Sequence, residues 1–215
     1  MWDDPHRPEL ELTSSDLIDS SLSLADLTDG NLILGSLSST LFPGLSPSIL
    51  VHQGFANEQA KTAQKILAAV LALLNQHSAT SVVVTGHSLG AALALLDSVY
   101  LALHVPTGTR VSAITYGMPR VGNLAFANYV DATHNENLTH INNKKELIPI
   151  IPSRILGYAH PSGEVHIQDS GSWVACSGQD NPSDLCIVGD VPTVFQGNIS
   201  DHYGPYGDGI IMGTC

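Results

Sequence analysis

The sequence predicts an α/β fold in which a mainly parallel central sheet is flanked by helices. Two observations carry that reading. Short β-branched runs alternate along the chain with stretches whose apolar residues recur at helical spacing, the order that parallel strands and crossover helices produce. In addition, the run Ser81-Val82-Val83-Val84-Thr85 is apolar on both faces, which suits a strand covered on two sides better than one with a wet face. The 215 residues are enough for one substantial core, and 43% apolar against 13% charged residues, with glycine and proline spread throughout, describe a globular chain with many tight turns.

Taken in order, the first forty or so residues are rich in Ser, Leu and Asp without a clean period, and assign to neither helix nor strand. They are expected to lie over the core. From Asn57 the pattern clears: Ala60, Ala63, Leu67, Val70, Leu71 and Leu74 fall at three- and four-residue steps, with Asn57 as a candidate cap and Glu58 in the first turn. The strand at 81–85 follows, then a turn at 86–90, then a helix at 91–104 packed with Ala and Leu. Strands are expected at 110–117 and 138–142, with a helix at 123–132 between them. Beyond Pro149 the chain reads as loops with one short strand at 164–167.

A formal charge of −12, from 20 acidic and 8 basic side chains, offers no footprint for phosphates and argues against nucleic acid as a partner. No apolar run is long enough to span a bilayer, and Met1-Trp2-Asp3-Asp4-Pro5-His6-Arg7-Pro8 has neither the basic flank nor the apolar stretch of a signal peptide. Cys176 and Cys186, however, flank a short Gly/Pro/Ser-rich stretch as a loop-closing disulfide would. Asn137-Leu138-Thr139 and Asn198-Ile199-Ser200 are glycosylation sequons. These favour a secreted history over the alternative of free core cysteines and chance sequons. Cys215 has no partner left.

Gly86-His87-Ser88-Leu89-Gly90 carries the chemistry. The five-residue pattern is weak alone, but between a strand and a helix it has the form of a nucleophile elbow, whose sharp turn needs small residues two positions either side of the serine. The following helix would aim free N–H groups at the reaction centre, with the Leu89 N–H as an oxyanion donor. A serine hydroxyl needs a base, and the base an acid to hold its tautomer, in the chain order Ser, acid, His. His134, His140, His160, His166 and His202 leave room for an acid. His202 is favoured because Asp201-His202-Tyr203-Gly204-Pro205-Tyr206 is polar and loop-like, whereas His140 and His166 sit in strand-like runs.

Val51-His52-Gln53-Gly54-Phe55, the elbow with its flanks, Thr115-Tyr116-Gly117-Met118-Pro119-Arg120-Val121-Gly122-Asn123 and the ending at 201–206 together resemble the fungal class 3 lipases, most closely the basidiomycete branch, from about Ala25 to Cys215. The resemblance implies an α/β-hydrolase fold and a secreted triacylglycerol lipase or related esterase, feruloyl esterases among them. It also implies a mobile lid, a Ser-Asp-His triad and chemistry that needs no metal or cofactor, with a lipid or other ester as substrate. By motif, Ser88 is the nucleophile and His202 the base, and the Cys176 to Cys186 loop is shared.

Two departures accompany it. The family acid is an Asp, and Glu146 stands in its place within Asn143-Lys144-Lys145-Glu146-Leu147-Ile148-Pro149; Asp131 and Asp169 are weaker candidates. The family's initial strands, one ending in a Gly-Thr or Gly-Ser oxyanion donor, have no counterpart before Ala25, and Thr13, Ser14 and Ser15 are the nearest hydroxyls. The expectation is one N-terminally shortened domain over 1–215, with 1–24 an unassigned leader and an open edge beside the 82–85 strand. Leu22, Leu24 and Leu27 are candidate lid contacts. Two readings result: a carboxylic ester hydrolase, foremost a triacylglycerol lipase, and a catalytically silent remnant of one.

Overall fold

The computed structural model of the chain describes residues 9–12, 32–134 and 137–212. Among these, the main sheet has the order β1-β4-β5-β7-β9-β10: β1 (Glu9–Leu12), β4 (Ser81–His87), β5 (Arg110–Tyr116), β7 (Leu138–Asn143), β9 (Glu164–Ile167) and β10 (Trp173–Cys176). All neighbours run parallel except β9 and β10. The parallel sheet expected from alternating elements is present.

One expectation about it needs correcting. Residues 1–24 assign to no element by sequence, and the edge of β4 is expected to be open. In the structure β1 lies in that leader and pairs with β4, Glu9 opposite Ser81 and Leu12 opposite Val84. Four residues of Glu and Leu are too short a run for a period to declare itself. The candidate hydroxyls Thr13, Ser14 and Ser15, the lid contacts Leu22, Leu24 and Leu27, and Cys215 fall outside the described residues.

Two long helices pack on each other, and the second of them meets the sheet's central strands. Helix α1 (Gln53–His77) starts four residues earlier than its sequence signal, so Asn57 is an exposed residue of its second turn and not a cap, and Glu58 is buried. Its inner stripe is Phe55, Gln59, Ala63, Ile66, Val70 and Leu74, while Ala60 and Leu71 face solvent. Helix α2 (Leu89–His104) is buried without interruption from Gly90 to Leu101. A helix buried all round has to be covered on every side, and α2 packs against β4, β5 and α1. Gln59 of α1 donates to the buried Asp97 of α2 at 2.9 Å, one polar contact across that interface.

Helix α3 (Leu124–His134) leads from β5 towards β7. A second, antiparallel sheet joins β2 (Leu34–Ser36), β3 (Leu50–His52), β6 (Gly122–Asn123) and β8 (Tyr158–Ala159). Strands of two or three residues carry no readable alternation, so this layer is invisible to pattern. The region after Pro149 holds more than one strand, with β8, β9, β10 and a short helix α4 (Ile187–Asp190). Its fold is tied by a Cys176–Cys186 disulfide.

Candidate active site

Ser88 sits between β4 and α2 at φ 57° and ψ −127°, a conformation that L-residues rarely adopt and that tight surroundings must hold in place. Those surroundings are visible at Gly86. A Cβ there would lie 2.6 Å from the Gly90 carbonyl carbon and 2.9 Å from the Ala91 nitrogen, so a larger residue would push the strand end off the helix. The Ser88 N–H is tied to Tyr116 O at 3.0 Å, and α2 opens with its first amides beside the hydroxyl. Leu89, the first residue of α2, supplies the nearest of them in sequence.

Two segments far away in sequence converge on this serine. His202, in a turn at Ile199–Tyr203, places Nε2 2.7 Å from Ser88 Oγ and Nδ1 2.6 Å from Glu146 Oε2. Glu146 follows β7, is fully buried, and accepts the Asn143 N–H at Oε1 over 2.6 Å. The Tyr206 hydroxyl donates to the same carboxylate, at 3.1 and 3.2 Å from its two oxygens. His87 stacks on the His202 ring with centroids 4.4 Å apart, and its Nε2–H donates to the His202 carbonyl at 2.8 Å. Gly117, at φ +54°, gives the pair its space: a Cβ there would stand 2.7 Å from His202 Nδ1.

A family model described as lipase (class 3) matches residues 24–155. The chain belongs to the class 3 lipases. It is 38% identical over 159 residues to a secreted mono- and diacylglycerol lipase of Malassezia globosa, covering 73% of this chain and 50% of that one. With a secreted mono- and diacylglycerol lipase of Gibberella zeae it shares 35% over 183 residues, 80% of this chain and 57% of the other. The chain spans about half the length of the curated relatives it matches. Among solved structures, the triacylglyceride lipase of Rhizomucor miehei superposes with a TM-score of 0.70 at 28% identity, covering 86% of this chain and 67% of that one. Lip2 lipase of Yarrowia lipolytica gives 0.71 at 28%, covering 84% and 65%. These matches establish the α/β-hydrolase fold of this class 3 lipase chain.

The other histidines weighed from sequence are engaged elsewhere. His134 Nε2 lies 3.3 Å from Ser98 O, His140 and His160 stack on each other, and His166 has Nε2 2.7 Å from Lys144 O and Nδ1 2.8 Å from Gln168 Nε2. Asp131 accepts from Ser162 and Gln179, and Asp169 lines a separate surface cleft, so neither competes with Glu146. Of the sequon residues, Asn198 is exposed four residues before His202, and Asn137 is half-buried ahead of β7.

Burial sets the electrostatics of the pair. It pulls the His202 pKa down to about 4, which makes the ring a neutral acceptor at pH 7. The same desolvation pushes the Glu146 carboxyl well above the ordinary carboxylate range, opposed by the Asn143 N–H and the Tyr206 hydroxyl. His87 is also lowered to about 4, first by burial and then by the neighbouring His202 ring.

Four contributors escape a sequence reading although they lie inside or beside the quoted motifs: His87, Gly117, Arg120 and Tyr206. Arg120 is buried. Its Nε donates to Asp180 at 2.8 Å, and Nη1 donates to Ile150 O and, at 3.0 Å, to Pro152 O, which pins the stretch that follows Glu146.

Proposed function

We propose that this class 3 lipase chain is a serine carboxylic ester hydrolase acting on acylglycerols. The observation that carries the reading is the unbroken relay from Ser88 Oγ through both nitrogens of His202 to Glu146, with contacts of 2.7 and 2.6 Å. Ser88 attacks the acyl carbon while Nε2 of His202 takes its proton. Glu146 holds Nδ1–H and stabilises the imidazolium that forms. The Leu89 N–H donates to the oxyanion, His202 returns the proton to the leaving alcohol, and water attacking by the reverse path releases the acid. No metal or cofactor enters this scheme.

Glu146 in place of Asp is consistent with the scheme because its extra methylene, about 1.5 Å of reach, is accommodated by the contacts from Asn143 and Tyr206. The proposal extends to secretion, supported by relatives named as secreted and by the Cys176–Cys186 disulfide, and to glycans on Asn137 and Asn198. Among the described residues no helix is long and apolar enough to cross a membrane.

A fluorophosphonate probe tests the chemistry. Labelling that disappears in Ser88→Ala, with hydrolysis of mono-, di- or triacylglycerol by the unmutated chain, is the expected result. A folded, unlabelled protein would overturn it and leave the silent-remnant reading.

A further inference from the structure

Below the stretch that Arg120 pins lies a trench of about 350 Å³, within the size range of ligand pockets, about 300–1,000 Å³. One wall is Ile150, Ile151 and Ile155 and the other Val188, Val191 and Val194. Ile150, Val188 and Val191 are buried and form the base. At the rim Ile155 is 95% exposed and Val194 46%, with Phe195, next in the chain, at 95%. Leaving such side chains in water forgoes about 25 cal/mol for each Å² they could bury, and several at one rim mark a contact surface for something apolar.

Two cations complete the trench, and among the described residues no carboxylate lines it. Arg120 is committed to Asp180 and to the Ile150 and Pro152 carbonyls. Arg154 is exposed and forms no ion pair among the described residues. It stands near enough to Arg120 to repel its charge, while Asp180 pairs with Arg120 and Glu164 acts on it more weakly. In a chain of net charge −12, Arg154 is thus a cationic spot beside apolar walls.

Apolar walls with an unneutralised guanidinium match an amphiphile that has a hydrocarbon tail and an anionic head. A carboxylate suits the planar fork of arginine, which can bind both its oxygens. We propose that the trench binds a long-chain fatty acid anion, its carboxylate on Arg154 and its chain between the Ile155 and Val194 walls. Ser88, Glu146 and His202 do not line it, so it is separate from the bond-breaking site. An intact ester has no charge to offer Arg154, so the trench selects the free acid over the acylglycerol. The proposal rests on the ester-hydrolase reading only for the origin of that acid.

The test is calorimetric titration of the Ser88→Ala chain with dodecanoate below its micelle concentration, beside dodecanol and dodecyltrimethylammonium. Saturable one-to-one binding of dodecanoate is expected, weakened about tenfold in Arg154→Ala, equivalent to about 1.4 kcal/mol, and abolished in Val194→Asp. Both positions are exposed, and an unchanged thermal midpoint shows that the variants are folded. Equal affinity for the ammonium amphiphile or the alcohol, indifference to Arg154→Ala, or no saturable binding overturns the proposal. Because the Ser88→Ala chain hydrolyses nothing, a negative titration leaves the function proposal standing. An inactive unmutated chain likewise leaves the titration interpretable.

Discussion

The two halves of the proposed active site are built in opposite ways. The nucleophile half is local: β4, Ser88 and α2 are consecutive, and the elbow is held by its own neighbours, Gly86 against Gly90 and Ala91. The acid–base half is assembled from afar, since His202 lies 114 residues from Ser88 and 56 from Glu146, and the phenol that steadies both comes from Tyr206. A local device survives or fails with the fold. A converging device can fail while the fold remains, because each member is positioned by a different element.

The largest expected effect on that contrast is Glu146→Gln, which keeps the shape and removes the charge that orients His202; turnover should fall about 10⁴-fold with the thermal midpoint nearly unchanged. Inactivity accompanied by unfolding would mean that the acid–base half is as structural as the elbow. Two glycines separate the halves more sharply. Gly86→Ala drives a methyl into the α2 backbone and should cost about 2–3 kcal/mol, lowering the midpoint by roughly 4–12 °C for a chain of this size. Gly117→Ala puts its methyl against His202 and Glu146 and should cut kcat about 10²-fold, as a misplacement of about 1 Å does, together with a smaller loss of stability from its positive φ. If Gly86→Ala instead left the midpoint intact and removed only activity, the contrast would collapse.

Tyr206→Phe should have a milder effect, about tenfold in kcat/KM. Losing the hydroxyl raises the Glu146 pKa further, because that hydrogen bond lowers it, so the acid limb of the rate profile should move to higher pH.

The smallest effect is read on the unmutated chain. His202 must be neutral to act as base, and its folded pKa is about 4 instead of 6.5. Protonation of the His202 ring should therefore lower kcat/KM only near pH 4, and a fall that begins at higher pH belongs to Glu146, whose carboxyl burial pushes up. The same shift has a sign for stability. An unfolded His202 takes its proton at 6.5 and the folded one only near 4, so this residue makes folding less favourable as the pH drops through that window. A midpoint of activity loss at pH 6.5 that Tyr206→Phe leaves unmoved would contradict the burial of the ring.

The difference between the halves also explains what could be read in advance. The β4–elbow–α2 unit has three concordant local signals, namely a β-branched run, paired glycines and an Ala/Leu-rich helix, and the structure bears out each of them. His202 emerged from chain order and segment polarity with four competitors, and Glu146 only through the family resemblance, because nothing local separates it from Asp131 or Asp169. Gly117 and Arg120 carry no chemical signal in sequence. Their roles appear only once Glu146 and His202 press against one and the 150–152 carbonyls close on the other. At the leader, β1 is a strand because β4 offers it a partner along residues 81–84, not because of its own composition.

The sequence by itself determined the alternation of strands and helices and the placement of Ser88 on a strained turn, since both depend on residues within a few positions of one another. Tertiary structure alone decided which histidine and which carboxylate complete the relay, where the second sheet forms and which arginine, among the described residues, is left without an ion pair beside an apolar trench. Those outcomes depend on distances between segments that are not neighbours in sequence, and a contact of 2.6 Å is set by packing of whole elements, for which no short stretch of chain holds the information.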